Sequence, residues 1–366
     1  MFSKSKLGFG LMRLPKNEEG RILVEQVEKM VDAFLEKGFT YFDTAYAYAG
    51  SENAIREALV KRYPRERFTL ADKMPAWKIE KEEDVERIFN ESLEACGVEY
   101  FDFYLVHSIE EGNYALYQKY KVFEFVKKMK QEGKIKHLGF SFHDSPEMLE
   151  RVLNEHPEME FVQLQLNYLD WENAVIQSRK NYEVARSHNL PIVVMEPVKG
   201  GRLASFNEDI EAIYKTYDSQ KSIASWALRF IASQKGIMTI LSGMSNQEQM
   251  EDNLETMANF VPLNEEEKEL VSKVREKLLS QPTIQCTQCR YCTPGCPMNI
   301  SIPDLFTAYN SQKLYGKSGR YKTYYEKFTK DGNLASTCIK CGQCESVCPQ
   351  HLEIISSLEK VASEFE

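Results

Sequence analysis

From residue 6 to about residue 260, short apolar runs alternate with longer stretches whose apolar residues recur three and four positions apart. The runs occupy residues 6–12, 39–44, 68–73, 101–107, 137–141, 161–166, 192–195 and 237–242. Each is short enough for one strand, and an unbroken apolar run suits a strand covered on both faces. The stretches between them carry helical stripes, such as Val27, Met30, Val31, Phe34 and Leu35, or Met148, Leu149, Val152 and Leu153. Parallel strands need crossover connections, so eight strands each followed by a helix predict a closed α/β barrel. An open, doubly wound sheet is the alternative. Against it, no G-x-G-x-x-G follows the first run, and the nearest string, GFGLMR, lacks the third glycine.

The pattern changes after a polar helix, rich in Glu and Lys, over residues 264–279, where Gln281 and Pro282 open a cysteine-rich region. The expected domains are 1–280, a (β/α)8 barrel of the TIM type, and 281–366, a small, mainly α-helical ferredoxin-like domain. Eight of the nine cysteines form two copies of C-x2-C-x2-C-x3-C-P: Cys286, Cys289, Cys292 and Cys296, then Cys338, Cys341, Cys344 and Cys348. In bacterial ferredoxins this spacing lets three thiolates grip one 4Fe-4S cube while the fourth, displaced before proline, reaches the other cluster. The expected ligand sets are therefore Cys286, Cys289, Cys292 and Cys348 for one cluster, and Cys338, Cys341, Cys344 and Cys296 for its partner. Structural zinc usually takes paired C-x2-C spacing, which this run fits poorly. Residues 301–335 read as helical, and Tyr309, Tyr315, Tyr321, Tyr324 and Tyr325 are expected to pack around the clusters. The ninth cysteine, Cys96, shares a helical stripe with Val85, Ile88, Phe89 and Leu93 and reads as a core residue.

The 366 residues, 43% of them hydrophobic, suffice for a substantial core and two domains. A net charge of −9 with no long Lys/Arg run argues against nucleic acid as a partner. No signal-peptide pattern opens the chain, and no stretch of about 18 uncharged apolar residues occurs in it, so a membrane is not expected. Thiolates reserved for iron fit a reducing compartment, and the expected location is the cytoplasm.

Barrel chemistry sits at the C-terminal ends of the strands. There, Asp43, Lys73 and His107 close three successive apolar runs, and Tyr48 follows Asp43 by five residues. Singly, each has an ordinary reading as a solvated lysine, a core histidine or a loop aromatic; their joint placement points to a site. With the strings FDTA-x-x-Y, LADK, FDFYLVH and LGFS, the barrel resembles the aldo-keto reductase superfamily over residues 8–253. The added two-cluster module resembles its iron-sulfur-containing branch. The resemblance implies an NAD(P)-dependent oxidoreductase with Asp43, Tyr48, Lys73 and His107 as its catalytic tetrad.

In that scheme Tyr48 protonates the alkoxide left by hydride transfer, and Lys73 lowers the pKa of the phenol. Asp43 holds Lys73, and His107 orients the carbonyl oxygen. The hydride must come from a nicotinamide, since no side chain supplies one. The resemblance further implies cofactor contacts from Gly10, Leu11, Met12, Asp43, Ser141, Gln163 and Met195, and from Gly243, Met244, Ser245, Gln249 and Asn253 in the last loop. Two positions depart from the family pattern: Phe142 follows Ser141 in place of asparagine, and Met195 replaces the stacking aromatic. Gly243, Met244 and Gln249 stand where cations often bind the ribose 2′-phosphate, which tilts the expectation toward NAD(H) over NADP(H). Lys199 or Arg202 remains able to reach in from the neighbouring loop.

Arg13 and Trp77 are expected at the pocket rim, where Arg13 either clamps a substrate anion or pairs with a structural carboxylate. His143 is a weaker candidate. The expected function is hydride transfer between the nicotinamide and a small carbonyl or alcohol substrate, with two 4Fe-4S clusters for electron transfer or redox sensing and a one-electron carrier such as ferredoxin as partner. The competing reading is an electron-transfer or scaffold protein whose barrel no longer reduces carbonyls.

Overall fold

A computed structural model describes residues 6–315 and 319–366, with the side chains of residues 315, 319 and 320 outside the description. Eight strands form a closed barrel in chain order. They are β1 (Leu7–Gly10), β2 (Tyr41–Asp43), β3 (Thr69–Pro75), β4 (Phe101–Ile109), β5 (Ile135–Phe142), β6 (Phe161–Gln165), β7 (Ile192–Met195) and β8 (Ile237–Ser242). All neighbours pair parallel, and β1 closes on β8. The eight apolar runs are these strands, with two differences that matter for the site. β3 continues to Pro75 and β4 to Ile109. Lys73 and His107 therefore lie two residues inside their strands.

The period-2 alternation of strands sorts the residues into two shells. Phe42, Leu70, Tyr104, Val106, Phe140, Val162 and Val194 belong to the main apolar core shared with the helices. Tyr41, Ala71, Phe103, Leu105, Phe161 and Val193 form a second cluster, the filling of the barrel itself. Two residues further along those strands, on the same inward face, come Asp43, Lys73, His107, Gln163 and Met195. Gly139 on β5 has no room for a side chain beside Phe161, whose ring and carbonyl would lie 2.6 Å from an added β-carbon. The next inward position on that strand is Ser141.

Compact units divide the chain as residues 1–198 with 224–264, and residues 199–223 with 265–366. The helix Glu265–Leu279 and the segment 199–223 thus group with the cysteine-rich region. Helices Ile302–Tyr315, Gly319–Thr329 and Ile354–Phe365 confirm the helical reading between and after the cysteine runs. Tyr309 and Tyr325 are buried in that unit's core with Tyr321 packed against it, whereas Tyr324 is exposed. That core also contains Cys292 and Cys344, with Cys286, Cys296, Cys338 and Cys348 packed against it, so these rings share one apolar cluster with the cysteines without lining the cysteine cavities described below. The Tyr315 side chain lies outside the described residues. Cys96 is fully buried in the barrel core, as its stripe suggested. No helix among the described residues is long and apolar enough to cross a membrane.

Candidate active site and metal sites

Lys73 organises the barrel site. Its Nζ donates to Asp43 Oδ1 at 2.5 Å and to the Thr44 carbonyl oxygen at 2.7 Å. It also lies over the Tyr48 ring, 4.9 Å from the centroid. The Tyr48 ring meets His107 edge-on at 5.9 Å, and Trp77 packs on the other side of that imidazole at 5.2 Å. The four expected residues therefore form one contiguous group, to which Trp77 adds a half-exposed rim.

The electrostatics depart from expectation at Tyr48. Burial pushes its phenol well above the usual range, and the carboxylates of Asp43 and Glu196 push the same way, while Arg13 opposes them. The expected lowering by Lys73 is not what the geometry gives. The ammonium is spent on Asp43 and the Thr44 carbonyl, and it faces the ring. Tyr48 is held as a neutral phenol with a proton to give. Burial, and then Lys73 and His143, hold His107 well below the ordinary histidine range, so it is a neutral imidazole. Its Nδ1 is buried without a hydrogen-bond partner. Burial raises the Asp43 carboxyl while Lys73 lowers it, and Asp43 Oδ2 has no partner.

The expected cofactor contacts separate into three groups. Gly10 is paired in register with Asp43 and so lies at the mouth of the barrel beside the site. Ser141 and Gln163 are register partners on β5 and β6. Ser141 Oγ accepts the Ser108 N–H at 2.7 Å, and Gln163 Nε2 donates to Met195 Sδ at 3.4 Å. Gln163 Oε1 is buried and unpartnered, an acceptor suited to a carboxamide N–H2. Leu11 and Met244 are buried in the apolar core, leaving only their backbone for a ligand, while Met12 is half-buried. Asn253 is buried and donates to Ser242 Oγ at 2.7 Å, which makes it a brace for the β8 end.

The final loop leads into the helix Gln247–Ala258, capped by Asn246, whose side chain accepts the Gln249 N–H at 2.9 Å. Gln249 folds back to accept the Ser245 N–H at 2.8 Å, and Ser245 Oγ donates to the Arg13 carbonyl. Arg13 itself pairs with Glu196 at 3.5 Å, the structural-carboxylate alternative, and its Cδ lies 3.2 Å from a β-carbon added at Gly243. Lys199 donates to Gln350, and Arg202 to the Ile284 carbonyl oxygen and Thr283 Oγ1. Glu196 is the residue that sequence reasoning missed; its position one past Met195 at a strand end is the signal that marks it.

In the second unit, two cavities are each walled by four cysteines. One holds Cys286, Cys289, Cys292 and Cys348; the other holds Cys296, Cys338, Cys341 and Cys344. Ile302 lines both, as the partition between them. The cysteine runs also repeat in backbone form. Gln288, Arg290 and Asn299 are left-handed in the first run, and Lys340, Gly342 and His351 in the second, at the same offsets from Cys286 and Cys338. Five of these six are not glycine, and such conformations persist only where surrounding structure demands them. Alternating left-handed turns aim N–H groups into a concavity that suits anionic sulfur; Gln288 N already donates to Cys286 Sγ at 3.4 Å. Burial, with the neighbouring cysteines, pushes the Cys292 thiol up to about 12, and burial likewise pushes Cys344 up to about 11. Without metal these thiols keep their protons; a bound cation replaces them. The donor set fits two 4Fe-4S clusters.

Residues 285–353 match the 4Fe-4S dicluster domain. A probable aldo-keto reductase from Glycine max is 31% identical over 168 residues, which cover 43% of this chain and 46% of that protein. The chain thus spans about half the length of that relative. An aldo-keto reductase from Bacillus halodurans in its holo form shares the fold at 22% identity and a TM-score of 0.60, covering 75% of this chain and 95% of that one. One from Klebsiella pneumoniae, solved in complex with NADPH, does so at 19% identity and a TM-score of 0.59, covering 74% and 90%. The aldo/keto reductase family model matches residues 6–276, the whole of the barrel that carries the Asp43–Lys73 site, and the chain belongs to that family.

Proposed function

We propose that this protein is an NAD(P)-dependent oxidoreductase that transfers hydride between the nicotinamide and a small carbonyl or alcohol substrate, with two 4Fe-4S clusters in the C-terminal unit for electron transfer or redox sensing. The observation that carries the reading is the single cluster formed by Asp43, Lys73, Tyr48 and His107. A bound nicotinamide supplies the hydride. Tyr48, held protonated by its buried setting, donates to the oxygen that gains charge. His107, held neutral, keeps a ring N–H to orient the carbonyl without adding a charge of its own. Lys73 lies over the tyrosine ring, and Asp43 fixes where it stands.

The carboxamide of the cofactor has an acceptor in Gln163 Oε1 and a neighbour in Ser141. The lack of a cation at Gly243, Met244 and Gln249 supports NADH over NADPH. In the second unit Cys341 is the exposed member of its set, flanked by Ile339 at 58% exposure, which suits a one-electron carrier approaching there. Thiols kept for iron suit a reducing, cytoplasmic setting.

The test is anaerobic oxidation of NADH and NADPH with a panel of aldehydes and keto acids, on protein reconstituted to about eight iron per chain. Carbonyl-dependent oxidation is expected. Tight nicotinamide binding without turnover of any carbonyl would favour the scaffold reading instead, and iron stopping at four would remove one cluster.

A further inference from the structure

Asp72 and Tyr104 are register partners on β3 and β4, and strand alternation turns both away from the face that carries Lys73. They meet the helix Glu83–Cys96, whose Phe89 packs edge-on against the Tyr104 ring. One turn apart on that helix, Ser92 and Cys96 share its buried face. The short helix Ser51–Ile55 brings Glu52. Glu52, Asp72 and Cys96 each place a ligating atom within 4.8 Å of the other two. Cys96 Sγ donates to Asp72 Oδ2 at 3.6 Å, and Asp72 Oδ1 accepts the Lys73 N–H at 2.6 Å. Asp72, Ser92, Cys96 and Tyr104 are all fully buried.

This group holds more polar atoms than it satisfies. Glu52 Oε1, Ser92 Oγ and Tyr104 Oη are buried without a hydrogen-bond partner. Both hydroxyls belong to it. Burial raises the Glu52 carboxyl and the Ser92 hydroxyl beside it opposes that, while burial, then Asp72, Glu52 and Cys96, push the Tyr104 phenol well above its usual range. Buried polar atoms in native interiors are rarely left unmet, so three in one group point to a partner that joins them. Burial, then Glu52, also holds the Asp72 carboxyl high, and burial, then Asp72 and Glu52, hold the Cys96 thiol high. Without a cation these acids keep their protons; a metal takes the place of those protons.

The spacing suits zinc. With Zn–S of about 2.3 Å and Zn–O of about 2.0 Å, a tetrahedral site sets sulfur and oxygen about 3.5 Å apart. Cys96 Sγ and Asp72 Oδ2 already stand at 3.6 Å. One thiolate with two carboxylates is also a softer donor set than the all-oxygen shells of calcium and magnesium. We propose that Glu52, Asp72 and Cys96 bind one zinc ion in the barrel wall behind Lys73, with Ser92 Oγ beside the fourth vertex and Tyr104 donating to the ligands. Binding forms Zn–S and Zn–O bonds, moves no electrons and releases the displaced protons to solvent. Three anionic ligands leave the site with one net negative charge, which gives the two hydroxyls an acceptor for their protons. The ion ties β3, at the residue before Lys73, to two helices.

The experiment counts zinc and iron together in full-length protein grown with added zinc and desalted without oxygen, and reads zinc K-edge X-ray absorption on the same sample. One zinc is expected beside about eight iron, with a single sulfur at about 2.3 Å and oxygens at about 2.0 Å. Cys96→Ala and Glu52→Gln should each lower zinc retention about tenfold or more with iron unchanged. Wild-type protein that holds no zinc would overturn the proposal and leave a group of acids that keep their protons. Zinc bound by four sulfurs, or retained by Cys96→Ala at the wild-type level, would overturn it by placing the metal among the cysteines of the C-terminal unit. The absorption spectrum needs no variant, so the test stands even where Cys96→Ala fails to fold. The zinc site is independent of the cluster reading: protein with one-sulfur zinc and no iron would fail that reading alone.

Discussion

Lys73 Nζ and Asp43 Oδ1 are 2.5 Å apart, and the two side chains are 0% and 3% exposed. An ion pair this deep is expensive to form, and it becomes more so when only one member remains. Asp43 already has one oxygen without a partner, so Lys73 carries most of its compensation. The pair also explains why the lysine does not lower the Tyr48 phenol: its charge is already answered.

Replacing Lys73 with methionine should therefore cost about 3–5 kcal/mol of folding stability by leaving a buried carboxylate unpaired. Asp43→Asn combined with Lys73→Met should recover a large part of that loss, because the double change removes both charges. Chemical denaturation of the four proteins of this cycle measures it. Additive losses in the double variant would show that the pair contributes little to the fold.

Tyr48→Phe removes a proton donor with little change in volume. Carbonyl turnover should fall by about 100-fold to 10,000-fold while nicotinamide affinity barely changes. Turnover within about twofold of wild type would remove Tyr48 from the chemistry.

The barrel was legible because its signal is repeated: eight apolar runs of strand length, each followed by a helical stripe. The cysteine ligand sets were legible for the same reason, since spacing alone sends Cys296 and Cys348 across to the opposite sets, and the two cavities contain just those combinations. What the sequence hid was long-range. Nothing local says that Arg13 meets Glu196 183 positions away, or that Lys199 belongs to the cysteine-rich unit through Gln350, 151 positions on. Nor does the sequence say that the apolar core takes the side chains of Leu11 and Met244, since a loop residue's direction is set by tertiary packing. The Tyr48 direction was misjudged because proximity of a lysine was counted without asking what else that lysine serves.

The neutral His107 makes a pH prediction with a definite sign. Its folded pKa lies well below the unfolded value of about 6.5, so below that pH the unfolded chain binds a proton that the native protein refuses. Stability from this site is fully present above about pH 6.5 and is lost as pH falls toward the depressed folded value. His107→Gln should make the acid limb of the stability–pH profile shallower by one proton. A limb of unchanged slope would mean that His107 already charges in the folded state.

Cys348→Ser should damage the cluster built with Cys286, Cys289 and Cys292 more than the cluster built from the cysteines nearest to it in sequence. Cys348 lines the first cavity, and the second has its own four thiols without it. Iron should fall to about four per chain, with one EPR signal retained. Selective loss of the second cluster would contradict the cavity assignment.

The nucleotide-discriminating loop gives the last prediction. Gly243, Met244 and Gln249 offer no cation to a ribose 2′-phosphate, and Lys199 and Arg202, the nearest alternatives in sequence, are engaged by Gln350, Ile284 and Thr283. NADH should therefore bind more tightly than NADPH. Gln249 is exposed, at the first turn of the helix Gln247–Ala258, so an arginine there has room to meet the phosphate in bidentate fashion. Charge-assisted hydrogen bonds of this kind contribute about 1.5–3 kcal/mol, so Gln249→Arg should shift relative affinity toward NADPH by about tenfold or more. The substitution also gives up the acceptor that holds the Ser245 N–H, but that loss weighs on both cofactors and cancels in the ratio. Fluorescence titration of both cofactors against both proteins measures that ratio. Tighter NADPH binding by the unmodified protein would overturn the NADH preference and turn attention to Arg13, whose side chain runs against Gly243 and would have to leave Glu196 to meet the phosphate.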